Sequence, residues 1–298
     1  MTINTELLAS CWTSAGNTGP SFADEMSPVS LRDRIEAAGR TGWSGFGLFH
    51  KDLIEARETI GLPTLGAILR DNGMKHVEFE FLTDWWADGA ARAESDRIRT
   101  HMFEAAEELG VRTVKVSSDL SPNPQPYAAY TEHFAALATD AEQHGVRVAL
   151  EFMPMASPRT VQEAADIVRN AGARAGGLCI DIWHVYRAGT SYEELAAAID
   201  PEMVFVVELN DGARTPIGSL WDDTVNSRKY CGEGDFDVAA FATTILSTGY
   251  KGYWGVEIIS ALHRDTPVEE GLRRAHDTAL SALSAAVDPT AIGNTGSR

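Results

Sequence analysis

The sequence is poor in cysteine, in basic residues and in long apolar runs, and each shortage removes a class of protein. Three cysteines occur in 298 residues, Cys11, Cys179 and Cys231, and no two form a CxxC pair. A disulfide framework is not expected, and such cysteine usage suits a reducing cytoplasm. Cys179 lies in an apolar run, where a buried, inert thiol is the favoured reading. Lysine and arginine number 25 against 43 aspartates and glutamates, a formal net charge of −18. A surface so acidic repels phosphate backbones and anionic lipid, so neither nucleic acid nor a membrane is an expected partner. No apolar run approaches the length of a membrane span. The N-terminal MTINTELLASCW has neither the basic region nor the apolar stretch of a secretory signal. A cytoplasmic protein is therefore expected.

What is present is a rhythm. Short β-branched or apolar runs alternate with longer amphipathic stretches. Strands are expected near Leu7–Cys11, Gly45–Phe49, His76–Phe81, Thr113–Ser117, Arg147–Phe152, Gly177–Asp181, Val204–Leu209 and Tyr253–Ile258. Ala93–Leu109, Ala128–His144 and Thr160–Asn170 carry apolar residues at helical spacing between them. The strand starts recur about every thirty to forty residues, the length of one βα unit. Eight such units predict an α/β fold, a single (β/α)8 TIM barrel over residues 1–287. An open doubly wound sheet would normally show a glycine-rich phosphate loop after its first strand. Here that strand is followed by TSAGNTGPSF, which lacks the GxGxxG order. The polar segment 210–235 follows the seventh strand and should lie over the barrel mouth, where long ordered loops carry function. The last residues, 288–298 (DPTAIGNTGSR), read as a flexible tail.

Active-site groups of a barrel come from the C-terminal ends of its strands. The fifth to eighth strands carry a carboxylate there: Glu151 in RVALEF, Asp181 in GLCID, Glu208 in VFVVELND and Glu257 in YWGVEII. Any one of these could be an ordinary strand-end acid facing water or capping a helix. Four at successive strand ends would repel one another unless a cation sits between them. Their hard oxygen donors predict a divalent metal ion, Mn2+ or Mg2+ first, with Co2+ or Zn2+ as alternatives. Asp211, three residues after Glu208, competes with it for the role.

His184, three residues after Asp181, either ligates the metal, contacts substrate or packs beside Trp183. Arg214 is placed to hold a substrate oxygen through its planar fork, or is a solvated loop arginine. His50 ends the second strand, Glu80 the third, and Lys115 and Ser117 belong to the fourth. A register error of one residue decides whether each faces the pocket or the helical layer. Trp12, with Phe49, Trp85, Trp86 and Trp183, belongs either to a pocket wall or to the core. His184, Arg214, His50 and Trp12 are the substrate-contact candidates.

LEFMP (150–154), IDIWH (180–184), VELNDGAR (207–214), RKYCGEGDFD (228–237) and GYWGVEIIS (252–260) together resemble the sugar phosphate isomerase/epimerase superfamily, the xylose isomerase-like TIM barrels. The resemblance spans roughly Leu7 to Ser260. Its members include ketose 3-epimerases, inosose dehydratases and 3-dehydroshikimate dehydratases, with a metal held by Glu, Asp, His or Gln, then Glu. The resemblance therefore implies ligands at Glu151, Asp181, Glu208 and Glu257, and substrate contacts at His184 and Arg214. At the seventh-strand position the epimerases usually carry histidine and the dehydroshikimate dehydratases glutamine, whereas this chain has Glu208. The implied activity is a metal-dependent isomerase or epimerase acting on a sugar, keto-sugar or cyclic polyol. It would abstract a proton next to a carbonyl through a metal-stabilised enediolate, with Glu151 and Glu257 exchanging the proton. A dehydratase or lyase of the inosose or dehydroshikimate type is the alternative. A non-catalytic sugar-binding or partner subunit on the same barrel is the second. Barrels of this size often assemble as homo-oligomers, and no patch of the sequence marks an interface. Metal-dependent hydrolysis of DNA is disfavoured by the acidic surface and by a total of eight histidines.

Overall fold

The eight apolar runs form parallel strands that close on themselves in the computed structural model, which describes residues 4–20 and 22–287. The expected tail, 288–298, lies outside the described residues. The strands are β1 (Leu7–Ala9), β2 (Gly45–Phe49), β3 (His76–Leu82), β4 (Thr113–Val116), β5 (Arg147–Glu151), β6 (Gly176–Asp181), β7 (Val204–Leu209) and β8 (Trp254–Val256). Each pairs in parallel with its neighbours in chain order, and β8 returns to β1 through Leu8 and Gly255. Helices join them, as parallel neighbours require.

The helices form where the sequence repeats every three to four apolar positions. Val161–Ala171 buries Val161, Ala164, Ala165, Ile167 and Val168 against the barrel, a single stripe of the helix surface. The Thr160 side chain accepts the Glu163 N–H at its start, and Gly172, at φ 62°, ends it in the left-handed conformation that glycine adopts without strain. The main core lies between strands and helices.

β1 and β8 end sooner than the apolar runs suggest. Cys11 begins a helical turn, Cys11–Ser14. From that turn Thr13 donates its hydroxyl to Val256 O at 2.8 Å and accepts the Ile258 N–H at 2.9 Å. A side chain thus satisfies backbone groups that a longer strand would have paired. Glu257 consequently stands just beyond β8.

Alternation along the strands sends one set of side chains into the barrel. That set is unusually charged: Glu78 and Glu80 from β3, Lys115 from β4, Glu151, Asp181 and Glu208, all buried. Two glycines make room for it. A Cβ at Gly47 would stand 2.6 Å from Glu80 Oε1, and one at Gly255 would stand 2.9 Å from Glu208 Cγ.

Segment 210–235 is folded rather than open. Asp211 accepts backbone N–H bonds from Gly212, Gly232, Gly234 and Phe236, at 2.7 to 3.0 Å. It is the pin of this fold-back, which removes it from competition with Glu208. A helix, Leu220–Asn226, crosses the segment. Its Asp223 accepts from Trp183 Nε1, Arg187 Nε and the Ile217 N–H, tying the segment to both ends of the short helix after β6, Ile182–Arg187. The anchored segment carries Trp221, Thr224, Val225 and Arg228 over the barrel mouth.

Candidate functional site

Glu151, Asp181, Glu208 and Glu257 converge: each offers a carboxylate oxygen within 4.8 Å of the others, and all four are buried. The register explains it. Asp181 pairs with Glu208 across β6 and β7, and Glu208 pairs with Gly255 of β8, two residues before Glu257. Asp181 Oδ1 accepts the Trp183 N–H at 2.6 Å, so this carboxylate also caps the helix Ile182–Arg187. Both its oxygens accept from Asn210 Nδ2, at 3.0 and 3.1 Å.

Two buried cations thread the acids. Arg228 Nη1 donates to Asp181 Oδ2 at 2.6 Å and to Glu257 Oε2 at 2.8 Å, while Thr224 fixes the rest of the guanidinium. Lys115 Nζ lies 2.7 Å from Glu80 Oε2, 2.7 Å from Glu208 Oε1 and 3.6 Å from Glu257 Oε1. Glu208 Oε1 also accepts Ser10 Oγ at 2.5 Å. Five carboxylates therefore face two cations in one buried volume.

The electrostatics follow from that imbalance. Burial, with the neighbouring Glu208 charge, raises Glu151 to about 8. The same two causes push Glu257 well above the ordinary carboxylate range. Burial alone would raise Asp181 too, but Arg228, His184 and the Asn210 amide outweigh it and hold Asp181 low. Burial works against the Lys115 ammonium, and Glu208, Glu80 and Glu257 more than reverse it, so the lysine stays charged. Burial lowers His184 to about 4 despite the Asp181 charge, so its imidazole is neutral at neutral pH. Its Nε2 lies 3.0 Å from Glu151 Oε1.

Hard oxygens gathered from four strand ends could hold a divalent cation. The residues present fit such an ion. Glu151, Asp181, Glu208 and Glu257 are the groups that would hold it.

A chamber of about 410 Å3 opens above the acids. Glu151, Glu257, His184, Arg228, His50 and Trp12 line it, whereas Asp181 and Glu208 do not reach its surface. Burial and His101 lower His50 to about 4, so it too is neutral. His50 Nε2, Ser117 Oγ and His184 Nδ1 have no hydrogen-bond partner among the described residues. Buried polar atoms are rarely left so, and all three belong to chamber-lining residues.

Arg214 stands apart from this arrangement. Its side chain is 81% exposed, with Asp235 at 3.8 Å, and it does not line the chamber. Arg228 occupies the position expected of it. Both arginines belong to the segment between β7 and β8, and its fold-back, paired at Asp211–Lys229 and Ser227–Ser260, determines which one points inward. Lys115 was open to recognition: in TVKV the alternation sets it on the face opposite Val114 and Val116, with Glu78 and Glu80 two residues apart on the strand beside it.

The chain belongs to the xylose isomerase-like TIM barrel family, whose sequence pattern matches residues 35–278. Among curated relatives it is similar to an inosose isomerase of Bacillus licheniformis, 29% identical over 189 residues, 61% of this chain and 66% of the relative. It is also similar to a 3-dehydroshikimate dehydratase of Pseudomonas aeruginosa, 25% identical over 256 residues, 82% of this chain and 39% of the relative. The matches span less than two thirds of the length of these relatives. Among solved structures, the IOLI protein with a bound zinc atom aligns over 93% of this chain and 98% of its own, with a TM-score of 0.80 at 20% identity. An L-ribulose 3-epimerase aligns over 98% and 99%, with a TM-score of 0.72 at 15% identity. At these identities the likeness is one of fold.

Proposed function

We propose that this protein is a divalent-metal-dependent isomerase or epimerase of a keto-sugar or cyclic polyol, acting by proton transfer at the carbon next to a carbonyl. The observation that carries this reading is the convergence of four buried strand-end carboxylates beneath a chamber whose lining residues include His50, Ser117 and His184, each with a buried polar atom unpartnered among the described residues. The named activities of the curated relatives support it. A divalent cation held by Glu151, Asp181, Glu208 and Glu257, with Mn2+ or Mg2+ suiting these oxygens best, supplies Lewis acidity toward a carbonyl and its neighbouring hydroxyl.

The side chains do the rest. Glu151 and Glu257 are the two acids of the set that open onto the chamber, and they approach from β5 and β8, three strands apart. One takes the proton from carbon and the other returns it: return to the same carbon from the other face inverts the centre next to the carbonyl, and return to the neighbouring carbon, with the hydroxyl proton passing to the former carbonyl oxygen, relocates the carbonyl. Without a cation, burial and like charge raise both above the ordinary carboxylate range. His184, neutral and 3.0 Å from Glu151, orients that carboxylate. Arg228 holds a substrate oxygen, and His50 and Ser117 offer hydrogen bonds from the β2 and β4 side. Trp12 closes the wall. Three buried, unpaired thiols among the described residues suit a reducing cytoplasm, and among those residues no helix is long and apolar enough to cross a membrane. A homo-oligomer is compatible with this reading.

Dehydration is the second reading, favoured by the dehydroshikimate dehydratase relatives. The first proton transfer is the same, and the outcome differs only if a β-hydroxyl leaves before carbon is reprotonated. The test is exchange. Inososes, ketohexoses and 3-dehydroshikimate are incubated with the Mn2+-loaded protein in D2O, and products are followed by NMR and mass. Deuterium at the carbon next to the carbonyl, abolished by chelator, is the expected result. No exchange and no turnover with any of them would leave the non-catalytic barrel.

A further inference from the structure

We propose that the natural substrate carries an apolar ring beside its hydroxy-carbonyl group, and that one wall and the rim of the chamber receive that ring. This rests on the reading of the site given above and narrows its substrate class. The chamber, about 410 Å3, falls in the ~300–1,000 Å3 range that encloses drug-sized ligands. Its polar groups gather at the strand ends: Arg228, His184, His50 and Ser117, with the acids beneath.

Another part of the lining is different in kind. Trp12, Val225 and Ile259, with Phe49 packed on them, form an apolar cluster separate from the barrel core. The Trp12 and Phe49 rings lie 4.9 Å apart, tilted by 46°. At the rim stand Trp221 and Leu120, 38% and 45% exposed, two of the few large apolar side chains that the described residues leave in water. The rim charges Glu25 and Lys51 face each other at 3.5 Å.

A bare polyol bears a hydroxyl on nearly every carbon. Pressing such hydroxyls against this wall without partners is unfavourable, because each loses its hydrogen bonds to water. A ring in the same place gains contact with Trp12 and Phe49 and covers Trp221 and Leu120. The wall therefore selects against compact sugars and for a polar head joined to an aromatic or alicyclic body.

The test compares methyl β-D-glucoside with phenyl β-D-glucoside, which share the polyol and differ in the appended group. Dissociation constants are measured by NMR titration on the full chain with Mg2+. The phenyl compound is expected to bind at least about tenfold more tightly, a difference of ~1.4 kcal/mol. Trp221→Ala and Leu120→Ala, both at exposed positions, are each expected to shrink that advantage about threefold. Equal affinity, no binding of either probe, or an advantage unchanged in both variants would overturn the proposal. Turnover plays no part in this comparison. A ring-selective protein without deuterium exchange would sink the catalytic reading alone, and an active protein indifferent to the ring would sink this inference alone.

Discussion

Lys115 Nζ lies 2.7 Å from Glu208 Oε1, and neither side chain has any exposure to solvent. The ammonium comes from β4 and the carboxylate from β7, so the contact crosses the inside of the barrel. Removing one member of a buried pair leaves the other uncompensated, which costs about 3–5 kcal/mol. Lys115→Met is therefore expected to lower the unfolding free energy by about that amount, since Glu80 loses its partner as well. Adding Glu208→Gln should return part of the loss, because one stranded charge disappears. Urea denaturation of the two variants and the parent measures both steps. A Lys115→Met protein as stable as the parent would show that the pair contributes nothing.

Glu257 is bonded by Arg228 and opens onto the chamber. Glu257→Gln keeps the shape and removes one charge from the donor set. Metal retained after gel filtration in Mn2+ is expected to fall from near one ion per chain to a small fraction. Turnover should fall by about a hundredfold or more, as for loss of a positioned acid or base. Elemental analysis and a thermal melt, run together, separate lost metal from lost fold. Full activity in a metal-replete variant would remove Glu257 from the mechanism.

The two arginines give a sharper comparison. Arg228 is buried between Asp181 and Glu257, whereas Arg214 reaches into solvent. Arg228→Lys keeps the charge but loses the planar fork, in which Nη1 bridges the two acids while Nε and Nη2 bond Thr224. It is expected to raise KM and lower kcat, together more than tenfold in kcat/KM. Arg214→Ala should stay within about twofold of the parent, as surface substitutions usually do. Steady-state kinetics on whichever substrate the exchange assay identifies would decide. Comparable losses in both variants would return Arg214 to the site.

The barrel was legible because its signals are local. Eight apolar runs at regular spacing stand out in any window, and Glu151, Asp181, Glu208 and Glu257 end four of them. What stayed hidden depends on closure. Alternation along β3 and β4 already sets Glu80 and Lys115 on one facing, but the reach of Lys115 to Glu208 on β7 follows only from closure. Arg228 is brought inward by Asp211, which gathers four backbone N–H groups from residues up to 25 positions away. No periodicity in a polar segment announces such a pin. The apolar wall likewise joins Trp12, Val225 and Ile259 from three distant parts of the chain, and only the fold makes them one surface.

Glu78 gives the protein a pH dependence whose sign can be worked out. It lies on the inward face of β3, fully buried, with Tyr253 donating to its Oε1 at 2.7 Å and its Oε2 unpartnered among the described residues. Burial, reinforced by the charges of Glu208 and Glu80 and opposed by Lys115, raises it from 4.5 to about 8. The folded state therefore holds this proton more tightly than the unfolded chain does. The stabilising contribution is complete below pH 4.5 and is lost as pH rises through 8. Glu78→Gln mimics the protonated form and does not titrate. The difference in melting temperature, variant minus parent, is expected to be near zero at pH 4.5 and to grow to about 5 °C in favour of the variant by pH 8. Both proteins are melted with chelator present, so that metal binding adds no pH dependence of its own. Melting curves that run parallel across this range would mean that Glu78 is ionised in the folded protein and that Lys115 compensates it fully.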